Sequence, residues 1–413
     1  MTVTQPLWLR KEDVPDLPDG WIALTTNEAC EQLKPGKLYS GKTTFEIGDV
    51  PVLSQGESGF VGYHNDAPGV AASPKSPVVT FANHTCAMRL VTHPYSCIQN
   101  IFSKVGKDGV CDTRYFYYAA MGRVTIGDYK GHHPLFRQAY IPIPPLGTQH
   151  RIASILSAYD DLIENNTRRI EILEEMARRL YEEWFVHFRF PGYKEVSFKE
   201  SELGRTPEGW EVRRLEDVVA LNPKTKVPKD GEKWFVPMGA LSESSMVVGS
   251  LEKKAGNSGA KFQNGDTLVA RITPCLENGK TGFVDFLPVD QPTGCGSTEF
   301  IVMRSTSLCP EMVYLLARSN RFRDVAIKSM SGATGRQRVR VESLRELPVV
   351  QPDQATLAAF QGFVAPCFKQ IRTLARKNNN LRAQRDLLLP KLVSGEINVS
   401  DIPMPDDKEI EAA

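Results

Sequence analysis

Residues 149–190 read QHRIASILSAYDDLIENNTRRIEILEEMARRLYEEWFVHFRF, and this stretch decides the architecture. Ile152, Leu156, Tyr159, Ile163, Asn166, Ile170, Leu173, Ala177, Leu180 and Trp184 follow one another in alternating steps of four and three. That is a heptad seam in which only Asn166 is polar. No Gly or Pro interrupts it before Pro191-Gly192. A second seam runs through Leu357, Phe360, Val364, Cys367, Ile371, Leu374, Asn378, Leu381, Arg385 and Leu388, with Pro366 expected to kink or restart its helix. At ~1.5 Å per residue each seam is roughly 45–50 Å long.

Two such helices on one chain should pair. Charge favours this: residues 160–183 are acidic on balance, whereas Lys369–Lys391 holds seven Lys/Arg against Asp386 alone. The sequence around them is duplicated. Pro18-Asp19-Gly20-Trp21 returns as Pro207-Glu208-Gly209-Trp210. Ile141-Pro142-Ile143, with Pro145 and Gln149, returns as Leu347-Pro348-Val349, with Pro352 and Gln354. A unit of about 200 residues is too long for a solenoid repeat. The expected layout is a globular part over 1–145, a helix over 146–190, a second globular part over 191–350, a second helix over 351–397 and an acidic, disordered tail over 398–413. Pseudo-twofold symmetry makes the helix pair antiparallel, with Asn166 and Asn378 placed to set register.

Both globular parts read as mixed α/β (α+β) with many short strands. Residues 77–81, 97–102, 268–272, 280–284 and 299–303 are expected strands, and 113–121 and 312–328 expected helices. No βαβ alternation supports a Rossmann sheet.

The 413 residues are 41% apolar and 24% charged, which fits a soluble globular protein. The first residues lack a basic stretch followed by an apolar one, and no apolar run approaches a membrane span, so a cytoplasmic chain without membrane partner is expected. Eight cysteines without a C-x-x-C pair read as reduced thiols. Gly36–Thr43 matches G-x-x-x-x-G-K-[ST], but Cys30–Pro35 before it is no apolar strand, and Gly48 and Pro51 break any helix after it, so it reads as a surface loop. The adjacent His132 and His133 point to different faces and make no metal pair. Neither a methyltransferase Asn/Asp-Pro-Pro-aromatic tetrapeptide nor a nuclease centre is present, and Pro405–Lys408 only superficially matches one. No catalytic residue, metal site or cofactor is therefore assigned to this chain.

Net charge is +1, yet Arg318–Arg340 holds seven Lys/Arg against Asp324 alone, a docking face for something anionic. Within it, Gly332-Ala333-Thr334-Gly335-Arg336-Gln337-Arg338-Val339 combines two glycines, which permit close backbone approach, with side chains that can serve phosphates or base edges.

Here the chain resembles the specificity subunit of type I restriction–modification enzymes. In the second half the resemblance rests on Phe262, Gly265-Asp266, Leu268, Arg271, Pro274, Gly279-Lys280, Gly282, Gly296-Ser297-Thr298, Phe300 and the Gly332–Val339 loop. At the ends of the two repeats it rests on Pro144-Pro145, Gln149 and Ile152, and on Asp386 through Ile397. The first half matches through Phe81-Ala82-Asn83-His84, Arg89 and Gly131-His132, and lacks a Gly-Arg-Gln-Arg loop.

The resemblance implies two target-recognition domains that read the halves of a split, asymmetric site on double-stranded DNA. The helical pair would be the spacer, docking two methylation subunits that use S-adenosylmethionine at adenine N6. Restriction subunits would add ATP- and magnesium-dependent cleavage, leaving this chain a non-catalytic subunit. The DNA-contacting set is expected to comprise Arg271, Lys280, Ser297, Thr298, Thr334, Arg336, Gln337, Arg338 and Arg340 in the second half. In the first it comprises Asn83, His84, Arg123, Lys130, His132 and His133. Rival readings are a coiled-coil scaffold, an orphan specificity subunit without nuclease partner, and a fused enzyme, which the missing motifs disfavour.

Overall fold

The computed structural model describes residues 4–56, 59–127, 131–333, 335–400 and 402. The chain divides into two compact units, Met1–Ile163 with Asn380–Ala413, and Glu164–Asn379. Each is a mixed α/β lobe packed on parts of two long helices, Leu146–Tyr181 and Gln354–Ser394.

In the first unit the all-antiparallel sheet runs Cys30–Gln32, Ile101–Gly106, Val78–Ala82, Met88–Val91. Val78–Ala82 is buried along its whole length, as a central strand of five apolar and β-branched residues should be. A second sheet runs Leu38–Tyr39, Ser96–Ile98, Val50–Leu53, Phe60–His64, with Ser96–Ile98 parallel to both neighbours. Residues 97–102, expected as one strand, form parts of two strands that turn at Asn100, whose φ of 65° lies in the left-handed region. The Gly36–Thr43 loop holds Leu38–Tyr39 and then a turn, with no helix N-terminus for a phosphate.

The second unit repeats the antiparallel sheet as Val219–Leu221, Phe300–Ser305, Thr267–Ala270, Thr281–Phe283. Its other sheet is wired differently: Glu252–Ala255, Glu232–Val236, Thr293–Gly296, Ala260–Gln263. The helix expected over 312–328 is two, Pro310–Arg318 and Asn320–Lys328. The chain breaks at Ser319, whose hydroxyl accepts from Phe322 N at 3.3 Å and caps the second.

Each lobe is tied to its helix by a short strand pair, Ile22–Thr25 with Tyr140–Ile143 and Glu211–Arg214 with Pro348–Gln351. Gln149 is fully buried and uses its whole amide, accepting from Asp112 N at 2.8 Å and donating to the Val110 and Pro144 carbonyls. The sequence repeat matches it with Gln354, but that residue is exposed. Asp353 does the work instead, accepting from Thr356 N and from Trp210 Nε1, each at 2.9 Å.

The helices pair antiparallel. In the second unit Asn166 Nδ2 donates to Asn378 Oδ1 at 2.9 Å, and the Trp184 and Phe360 rings lie 5.7 Å apart. In the first, Arg385 grips Asp160, which also accepts from the Tyr118 hydroxyl at 2.7 Å. Partner numbers thus fall along one helix as they rise along the other.

The charge argument identifies the right partner helix on partial grounds, because the acidic residues mostly turn elsewhere. Glu174 accepts from Ser245 Oγ and Met246 N, and Glu175 pairs with Arg178 and Arg179 of its own helix. Ile152, Leu156, Ile163, Asn166, Ile170, Ala177 and Trp184 are buried, and Tyr159, Leu173 and Leu180 half-buried. On the partner, Leu357, Phe360, Val364, Ile371, Leu374 and Asn378 are buried, and Leu381, Arg385 and Leu388 half-buried. Phe368 takes the seam position expected of Cys367, and towards its end the seam shifts to Leu389, Leu392 and Val393.

The helix runs through Pro366 without a break, contrary to expectation. The carbonyl the proline leaves unbonded belongs to exposed Gly362, where water can satisfy it. The first long helix ends at Tyr181 and closes with a π-turn over Glu182–Val186, short of residue 190. Gly395, at φ 79°, ends the second. A Cβ there would meet Pro18 Cγ at 2.4 Å, which explains the glycine in that string. Of the expected tail, residues 401 and 403–413 lie outside the described residues, while Val399 is buried in the first unit's core.

Candidate nucleic-acid interface

The basic loop of the second lobe is stitched to the end of its central strand. Val339 N donates to Arg271 O at 2.9 Å, Thr273 N to Gln337 O at 3.1 Å and Gln337 N to Thr273 Oγ1 at 3.2 Å. Ser331 and Arg338 exchange both backbone bonds, closing the loop, and Gly332 and Gly335 supply its φ values of 126° and 79°. Arg271 N donates to Glu299 O at 3.0 Å, which brings the turn after Thr293–Gly296 alongside.

The side chains converge on Glu299. Its Oε2 accepts from Arg271 Nε at 3.1 Å and from Arg338 Nε at 2.9 Å, and its Oε1 from Arg338 Nη2 at 2.8 Å. These guanidinium bonds, Arg338's first, hold the Glu299 carboxyl below the usual carboxylate range. Ser297 Oγ accepts from Glu299 N at 3.2 Å, and Thr298 is exposed beside it.

Arg336 is exposed and without a side-chain partner among the described residues. Lys280 is half-buried just before the strand Thr281–Phe283, and Ala270 N donates to its carbonyl at 3.0 Å. Arg340 is turned back onto the Ser329 carbonyl, at 3.3 Å from Nε. Thr334 lies outside the described residues.

A cleft of about 350 Å³ opens alongside, lined by Phe235, Met238, Gly259, Ser297 and Thr298 among others. Two basic–aromatic pairs lie on its sheet, Lys253 over Trp234 at 4.0 Å and Lys254 over Phe235 at 3.9 Å. Neither pair is among the contacts expected from sequence. Trp234-Phe235 and Lys253-Lys254 are each legible as doublets, but only the strand register joins them.

The first lobe builds the same backbone node with other side chains. Asn83 N donates to Asn100 O at 3.0 Å, as Arg271 N does to Glu299 O. His132 N donates to Asn83 O at 3.1 Å, as Val339 N does to Arg271 O. Asn83 Oδ1 accepts from His133 N at 2.8 Å, and the Asn100 amide lies 3.3 Å from His84 Nε2.

Several expected DNA contacts turn inward here. His132 is buried, with Nδ1 donating to Asn83 O at 2.9 Å and Nε2 accepting from Gly127 N at 3.1 Å. His133 is buried against Phe102, ring centroids 3.5 Å apart. Burial, aided by Lys104 and Arg137, pushes its pKa down to about 4. Arg123 is 3% exposed, bonded to the Ala119 and Pro6 carbonyls and stacked over Trp8. These three are corrected from surface donors to internal scaffold. Lys130 lies outside the described residues, and His84 and Asn83 stay half-exposed at the node.

One constellation imitates a hydrolase. His64 Nε2 lies 2.9 Å from Ser96 Oγ, with Asp66 adjacent. Asp66 N, however, donates to His64 Nδ1, so Nε2 carries the proton and cannot take one from serine. Ser96 is fully buried, and the Asp66 carboxylate is bonded to Lys37 and Tyr39. Among the described residues no His/Cys/Asp/Glu group could hold a metal ion, and no helix is long and apolar enough to cross a membrane.

Comparison with known proteins bears on what these lobes belong to. The family model of the type I restriction modification DNA specificity domain matches residues 18–175. The MjaIX type I specificity subunit of Methanocaldococcus jannaschii is 26% identical over 337 residues, 76% of this chain and 75% of that one. The EcoEI specificity subunit of Escherichia coli is 31% identical over 163 residues, 38% of this chain and 27% of that one. In fold, the chain is similar to the crystal structure of the type I S subunit from M. genitalium. The TM-score is 0.55 at 13% identity, covering 92% of this chain and 98% of that one. Two lobes sharing one sheet and one backbone node, an antiparallel helix pair and these relatives lead to one conclusion: residues 18–175 match the type I restriction modification DNA specificity domain, and the chain as a whole is similar to type I specificity subunits.

Proposed function

We propose that this chain gives a DNA adenine methyltransferase, and the restriction complex built on it, their sequence specificity. Each lobe reads one half of a split, asymmetric site, and the helix pair sets the distance between halves. One observation carries the reading: equivalent backbone nodes present Asn83, His84 and Asn100 in one lobe and Arg271, Glu299 and Arg338 in the other. Two such nodes are what an asymmetric site requires of two readers, since Arg suits guanine O6/N7 and Asn suits adenine N6/N7. In this reading Arg271, Ser297, Thr298, Arg336, Gln337 and Arg338 face DNA with Asn83 and His84, and Lys253 and Lys254 hold phosphates.

The chemistry belongs to partners. Two methylation subunits dock on the helices and carry S-adenosylmethionine, and restriction subunits bring ATP and magnesium. A stiff helix pair suits a spacer because DNA rises ~3.4 Å and turns about a tenth of a revolution per base pair, so separation and phase are fixed together.

The test is DNA binding by the chain assembled with its methylation partner across a salt series. Site-specific retention with a steep salt dependence is expected. Assembly without DNA retention would instead favour a scaffold.

A further inference from the structure

Glu299 appears nowhere among the residues the sequence marks for DNA contact, yet the second lobe's node is built around it. The Arg–Glu–Arg group is held from both sides. Backbone bonds fix Arg271 to Glu299 and the Arg338 loop to Arg271, and the carboxylate spans both guanidinium groups. The group sits at the surface, with side-chain exposures of 21% for Glu299, 32% for Arg271 and 47% for Arg338.

Each guanidinium has five N–H donors in a fixed fork. Arg271 donates to the carboxylate through Nε, and Arg338 through Nε and Nη2, and their remaining N–H groups have no partner among the described residues. The carboxylate thus limits the rotation of two long side chains while leaving donors free. It also cancels one of two positive charges, so the group attracts phosphate less than two bare arginines would. In the first lobe the equivalent residue is the neutral Asn100.

We infer that Glu299 is a specificity-determining positioning residue: it fixes the orientation of Arg271 and Arg338 towards base edges and holds down the non-specific attraction of the second lobe for DNA. This rests on the reading of the chain as a DNA-recognition subunit.

The experiment uses the full chain co-assembled with its methylation subunit, as wild type and as Glu299→Gln and Arg338→Lys, each checked for an unchanged melting temperature. Adenine methylation is mapped genome-wide in a methylation-free host. Affinities are then measured for a duplex carrying the mapped site and for a scrambled duplex, across a salt series. Glutamine keeps the shape but has one acceptor oxygen and no charge, so it loses Arg338's second bond and the charge assistance to both arginines, and holds them more loosely.

The expected result for Glu299→Gln is that one half of the motif becomes degenerate while the other half and the spacer stay unchanged. Binding to the scrambled duplex tightens, discrimination falls about tenfold, and the salt slope steepens by about 0.9, one phosphate's worth. Arg338→Lys should degrade the same half without steepening the slope.

An unchanged motif in Glu299→Gln overturns the inference. So does equal weakening on both duplexes at constant slope, the signature of a purely structural residue. A wild-type complex with no motif and no discrimination would instead remove the DNA-recognition reading itself, and the inference with it.

Discussion

The two lobes share an antiparallel sheet, a strand pair that leads into a long helix, and a node where three chain segments meet. They differ in what the node carries. In the first lobe the polar atoms face one another: Asn83 serves the His132 and His133 backbone, and the Asn100 amide faces the His84 ring. In the second the node is charged and partly free, with two guanidiniums on one carboxylate. A backbone framework is therefore kept while the chemistry it presents is exchanged.

The second sheets teach the same lesson. The first lobe has Ser96–Ile98 parallel to two strands. The second attaches its outer hairpin on the other side and adds the helix Asn320–Lys328 before its basic loop. Variation is concentrated away from the sheet that touches the helices.

The largest effect is expected from changing what the lobes have in common. Excising residues 167–173 together with 371–377 removes one heptad from each helix, ~10 Å of length, and keeps Asn166 opposite Asn378. Methylation mapping should then give a spacer about three base pairs shorter or no methylation at all. An unchanged spacer would break the comparison, because it would mean the lobes are not held apart by these helices.

Next come the nodes. Arg338→Ala should cost about 1–3 kcal/mol of discrimination in one half-site and leave the other intact, whereas Asn83→Ala should do the reverse. Loss confined to the same half in both variants would contradict separate readers. A smaller, sequence-independent effect is expected of Lys253→Ala with Lys254→Ala: weaker binding to every duplex, and a salt slope shallower by up to about 1.8.

Two stability effects sharpen the contrast between lobes. His133 titrates near 4 in the folded first lobe, below the ordinary histidine value, so folding favours its neutral form. Its contribution is present above pH ~6.5 and is lost as pH falls towards about 4, so melting of the first lobe should be acid-sensitive in that window and lose that sensitivity in His133→Phe. The smallest change is expected for Asn166→Leu with Asn378→Leu. Either single variant removes the Asn166–Asn378 bond from the buried seam, while Asn378 in the Asn166 variant still donates to Thr167 Oγ1 at 3.1 Å, so each costs about 1 kcal/mol and the double variant recovers part of it.

Much of the fold is legible in the sequence because the heptad spacing is local. Ile152 through Trp184 can be placed on one face from their intervals alone, and the repeated Pro-Asp/Glu-Gly-Trp and Pro-rich strings mark where each lobe meets its helix. The Arg–Glu–Arg group was not legible as a group. Arg271, Glu299 and Arg338 lie on separate segments, joined by backbone bonds that no short window contains.

The histidines failed for the complementary reason. A polar side chain beside a glycine looks exposed until one knows that Asn83 and Gly127 close around it. Gln149 and Gln354 show a third limit. Their strings match, yet Gln149 is buried on the Asp112, Val110 and Pro144 backbone while Gln354 is exposed, and in the second lobe it is Asp353 that accepts from the first turn of the helix and from Trp210.

The most direct test of the central claim is a genome-wide map of N6-methyladenine in a methylation-free host that expresses this chain with its neighbouring methylation subunit, beside the methylation subunit alone. Two different readers on one spacer predict a split motif with unlike halves and a constant gap, present only when this chain is. A contiguous motif, a symmetric one, or the same methylation without this chain would contradict it.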